Sequence, residues 1–140
     1  MRHVDDDPLR EVFGAARLSH AWEFQGSLAE LRRAGVEIDL RPGAMAYSPA
    51  TGQPGRFIFD PDASIGALRH EMRHFRDVRD DGYPGLRYYL EIPARQWRME
   101  YRAYREEIKL ARQARRYDIG RRLLAIMREV RQRIMRTEND

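Results

Sequence analysis

The chain has 140 residues, 42% hydrophobic and 34% charged, the length and balance of one domain with one core. It has no cysteine and no run of about 18 apolar residues, which excludes disulfides, thiolate metal sites and a membrane-spanning helix. The net charge of +4 hides an asymmetry, because residues 95–136 carry 13 arginines, one lysine and five acids, a net +9.

Residues 1–8 read as a polar tail or linker stub that includes His3, and they lack the apolar stretch of a signal peptide. Leu9, Val12, Phe13 and Ala16 recur at helical spacing. A second helix is predicted over 21–34, with Trp22, Leu28 and Leu31 on its apolar stripe and Gly35 as C-cap. His20, at the join, reads as a cap or surface residue.

Val36–Leu40 alternates apolar and polar residues, the period of a half-buried strand. Ala44–Tyr47 and Arg56–Asp60 read as two further strands, separated by a Pro/Gly-rich loop over Ser48–Gly55. Three closely spaced strands predict a small, mostly antiparallel sheet. Arg56–Asp60 or Ala44–Tyr47 would be the edge that an extended peptide could join.

A helix follows, with Ile65, Leu68, Met72, Phe75 and Val78 on its apolar face, Asp62 or Ser64 as cap, and a stop in Asp80–Gly85. It carries His70-Glu71-Met72-Arg73-His74, an H-E-x-x-H pattern. Residues four apart on a helix lie about 40° apart around the axis and roughly 6 Å along it, so both imidazoles reach one metal ion. Glu71, about 100° round from His70, is set aside from the ligands and suited to act as general base on a zinc-bound water. By composition a chance match has odds on the order of 1 in 100, so the well-bounded helix around the motif is what favours a zinc site. Beyond it, Leu86–Leu90 is an apolar, aromatic segment. Helices are predicted from Pro93 to about Arg116 and from Asp118 to about Arg136, and they form an α-hairpin.

Catalytic zinc usually takes three protein ligands, and without cysteine the third is a carboxylate or histidine. Asp80 lies six residues after His74 on a helix that carries it away from the metal. Glu100 returns on the next helix, 26 residues after His74, and is the better candidate; Glu106 and Glu107 are the alternatives. A bland reading of Glu100 pairs it with Arg69 or Arg73. Asp77 is within helical reach of His74 as a partner for its second ring nitrogen. Tyr83, Tyr88, Tyr89 and Tyr104 are candidate oxyanion donors.

The stretches Leu68–Phe75, Gly82–Gly85, Arg87–Leu90 and Met99–Tyr104, with Asp60–Ser64, resemble the zincin-like metallopeptidase toxin domains of bacterial polymorphic toxin systems. The resemblance runs from about residue 28 to the C-terminus. It implies an α+β, minimal zincin-like domain over residues 9–140, with zinc on His70, His74 and Glu100, and Glu71 as catalytic base. It also implies a protein or peptide substrate, a cognate immunity protein, and delivery into a target cell as part of a larger effector; as made, the chain would be cytoplasmic. Two other readings stand beside it. One is a non-catalytic nucleic-acid- or protein-binding module using the Arg-rich helices. The other is a regulatory zinc protease with no toxin role.

Overall fold

The computed structural model describes residues 2–3 and 6–139. The chain runs β1 (Arg2–His3), α1 (Arg10–Phe13), α2 (Ala16–Ser19), α3 (Ala21–Ala34), β2 (Glu37–Leu40), β3 (Ala44–Ala50), β4 (Gln53–Phe59), α4 (Ile65–Asp80), α5 (Leu86–Leu90), α6 (Pro93–Gln113) and α7 (Tyr117–Asn139). It is an α+β architecture in which a small sheet and two groups of helices enclose α4.

The sheet order is β1-β3-β4-β2. β3 pairs antiparallel with both β1 and β4, while β2 pairs parallel with β4 from Glu37↔Arg56 to Leu40↔Phe59. The sheet is therefore mixed. Arg56–Asp60 cannot be a free edge, because β4 is flanked by β2 and β3. The predicted loop over Ser48–Gly55 is largely strand, with a turn only at Thr51–Gly52. Pro49 is accommodated at the register shift between Ser48 and Ala50, where a missing N–H is tolerated. Gly55 is required by close approach: a Cβ there would lie 2.5 Å from the Ser48 carbonyl oxygen, and its φ is +87°.

The expected tail over residues 1–8 is a correction. Arg2 and His3 pair with Met45 and Ala44 as β1, and Asp7 is buried, accepting the Ser64 N–H at 2.7 Å. Met1, Val4 and Asp5 lie outside the described residues. Local composition reads this stretch as polar, but its partners lie on distant parts of the chain. Trp22 is a second correction. It is 94% exposed, and the buried stripe of α3 is Phe24, Leu28 and Leu31, the i, i+4, i+7 set that faces the sheet.

Helix α4 is buried along most of its length. Leu68, Met72, Phe75 and Val78 pack into a core that includes Phe57 and Phe59 from β4 and Phe24 from α3. Ser64 caps its start by accepting the Ala67 N–H at 3.2 Å. The turn after Asp80 uses Gly82 at φ 81° and Tyr83 at φ 55°, ending the helix within the predicted run of breakers. Leu86–Leu90 is a short helix. Beyond it, α6 and α7 form the predicted hairpin, closed by Ile108 and Ala111 against a face carrying Ile119, Leu123 and Val130.

Candidate metal centre

His70 and His74 leave the side of α4 that faces α6, at 1% and 7% exposure. Their rings meet edge to face with centroids 4.8 Å apart. Ala103 of α6 is fully buried, and a small residue there lets α6 approach α4. One turn earlier, Glu100 points its carboxylate between the two rings, with Oε1 3.3 Å from His74 Nε2 and Oε2 3.7 Å from His70 Nε2.

The three donor atoms of His70, His74 and Glu100 lie within 4.8 Å of one another, the one such group among the described residues. Two ligands of a tetrahedral zinc ion are roughly 3.3 Å apart, so this set needs only small side-chain movements to close on one ion. Two imidazoles and a carboxylate are also the donor types that zinc takes in the absence of thiolates. The residues present fit the ion. Within the bare cluster the charges are strongly coupled. Burial opposes a charged imidazole, but Glu100, with Glu71 and Asp77 behind it, outweighs this and raises the His74 pKa. Burial also opposes the Glu100 carboxylate, and His74 outweighs that to lower its pKa.

The other candidates separate cleanly. Arg69 pairs with Glu23 and Arg73 with Glu106, so neither takes Glu100. Asp80 is exposed at the end of α4, where it accepts from Arg79. Asp77 accepts two bonds from Arg102 at 3.0 Å and does not bond His74, whose Nδ1 is buried without a partner among the described residues. His20 contacts Ser19 and Phe13, away from the cluster.

Glu107 stands in a different place from the one spacing offered, which was that of an alternative ligand. It is fully buried and lies 2.9 Å from His70 Nδ1. An ionised carboxylate only accepts, so in this contact His70 Nδ1 is the donor, and Nε2 is the ring nitrogen turned towards Glu100. Burial opposes Glu107 ionisation, but Arg2 and His70 together keep its pKa below the usual range. Arg2 reaches it from β1 at 3.1 and 3.3 Å. The helical spacing of α6 places Glu107 on the same face as Glu100, two turns on; nothing local in residues 1–8 signals Arg2.

Glu71 is 3% exposed and is oriented by the sheet. Its Oε2 accepts the Tyr47 N–H of β3 at 2.9 Å, and Oε1 lies 3.9 Å from His70 Nε2. It thus stands beside the donor set without belonging to it. Of the four tyrosines, Tyr104 alone packs on the cluster, with its ring 4.7 Å from that of His70; burial raises its pKa. Tyr89 donates to Asp81, Tyr88 stacks under Arg95, and Tyr83 forms the turn after α4.

Two depressions open on either side of Glu100. One, of about 410 Å³, is bordered by Arg2, Tyr104 and Val130. The other, of about 110 Å³, is bordered by His74, Leu86, Leu90 and Met99. Among the described residues no helix is long and apolar enough to cross a membrane. Compared with family models, curated proteins and solved structures, the chain has no match.

Proposed function

We propose that the chain is a zinc-dependent peptidase of zincin-like fold, of the kind that serves as a toxin domain in bacterial polymorphic toxin systems. The observation that carries the reading is the convergence of His70, His74 and Glu100 to within 4.8 Å, with Glu71 next to them. His70, His74 and Glu100 would hold the ion, and Glu107 would orient His70. Zinc in such a donor set supplies Lewis acidity, making water a nucleophile near neutral pH and polarising a carbonyl.

Glu71 has one oxygen held by the Tyr47 N–H, which leaves Oε1 to take a proton from the attacking water. The same oxygen then returns that proton to the leaving amide nitrogen, so the carboxylate ends as it began. Tyr104, whose ring packs on that of His70, would be the tyrosine to test as a donor to the developing oxyanion.

The test is metal content and activity together. Purified native protein is expected to hold about one zinc per chain, and His74→Ala to lose it. Glu71→Gln should keep zinc and fold while cleavage falls by about 10²–10⁴-fold, the usual contribution of a general base. Cleavage by Glu71→Gln at the native rate would remove Glu71 from this role. An adjacent gene whose small product binds and blocks the chain would support the toxin reading. Without such a neighbour, a regulatory protease is the better description.

A further inference from the structure

We infer that the recess beside His74 is a specificity pocket that takes the aliphatic side chain of a peptide residue adjacent to the bond cut. This rests on the peptidase reading above. The recess closes on His74 and Glu100, so whatever fills it lies directly against the donor set. Its apolar walls include Leu86 and Leu90 from α5, Met99 from α6 and Pro49 from β3, with Tyr47, Tyr89 and Gln96 also on its border.

Helix α5 shows that these walls are built for an occupant. Tyr89 is 4% exposed and is anchored by its hydroxyl donating to Asp81 at 2.8 Å. Leu86 and Leu90, one turn apart on the same short helix, remain 50% and 51% exposed. The core holds α5 through the tyrosine and leaves the two leucines facing the recess. Half-exposed leucines clustered at one mouth mark a place that apolar surface is meant to cover.

Size and polarity select the occupant. An apolar cavity of roughly 150 Å³ accommodates a benzene ring. A recess of about 110 Å³ therefore suits a leucine- or methionine-sized group. The depression across Glu100 has Arg2, Arg133 and Tyr104 on its walls beside Val130 and Ile134, and is the more polar of the two. Gln96 borders both depressions, so a segment that crosses the ridge would pass beside it. An extended peptide lying over Glu100 would thus meet an apolar pocket on one side of the metal and a polar one on the other.

Leucine hydroxamate and glycine hydroxamate, titrated into the zinc-loaded protein, test this without a known substrate. Both share the same metal-binding group, so their ratio of affinities reads the pocket alone. Leucine hydroxamate should bind about tenfold or more tightly, the usual yield of filling an apolar subsite. In Leu86→Asp/Leu90→Asp the ratio should fall to about one. Leu90→Met, which keeps an apolar wall, should retain it. Equal affinities in the native protein, with zinc bound, would overturn the pocket and leave the metal site standing. A native protein that takes up no zinc would overturn both.

Discussion

Glu107 is fully buried and still ionised because two partners reach it: the His70 Nδ1–H at 2.9 Å and the Arg2 guanidinium at 3.1 and 3.3 Å. Removing one partner of a buried charge pair usually costs about 3–5 kcal/mol, whereas removing both groups together is often close to neutral. Arg2→Met should therefore destabilise the fold by several kcal/mol, and Arg2→Met/Glu107→Met should recover most of that loss in denaturant titrations. Zinc affinity should behave differently. The double variant lacks the carboxylate that orients His70, and should bind zinc about 10–100-fold more weakly in chelator competition. Native-like affinity in the double variant would show that Glu107 serves only the fold. At this scale, His70, Glu71 and His74 were legible because their relation depends on helical pitch alone. Glu100 was legible as the better of several carboxylates. Arg2 was not, because its partner lies 105 residues away.

Helix α4 is placed by both of its neighbours, and its start shows how. Ser64 caps it through the Ala67 N–H, and Asp7 in turn accepts the Ser64 backbone N–H, so the N-terminal segment is tied to the helix that carries the histidines. Loss of a serine N-cap costs about 0.5–2 kcal/mol. Ser64→Ala should approach the upper end, because the buried Asp7 also loses the Ser64 hydroxyl as a donor. Thermal unfolding of the variant beside native protein measures it. Strand β3 acts on the site from the opposite side, holding Glu71 through the Tyr47 N–H. That bond uses a donor that the sequence had assigned to a peptide-binding edge. Ala44 and Met45 of the same strand are covered by β1. Existence and type of α4, α6 and α7 followed from their 3.6-residue pattern. The order of strands did not, because β2 pairs parallel to β4, while β3, which lies between them in sequence, takes the other side of β4.

Across the whole molecule, charge is sorted. Arginines 69, 73 and 76 of α4 are matched by Glu23, Glu106 and Glu30. On the hairpin, Arg112, Arg121, Arg122 and Arg128 are exposed. Such a surface is expected to attract polyanions independently of the metal site. Binding to a labelled oligonucleotide, followed by anisotropy between about 50 and 200 mM salt, should weaken linearly on a log–log scale and be unchanged by chelator. Binding lost with the metal would tie the hairpin to the candidate centre instead. Composition and periodicity were enough to indicate an α+β chain and to put His70, Glu71 and His74 on one helix, since both depend on residue type and local geometry. The role of Glu107 as the buried partner of His70, the strand supplied by Arg2 and His3, and the recess beside α5 emerged only on folding. Each is a contact between segments far apart in the chain, and packing rather than local spacing selects which of several chemically equivalent residues arrives.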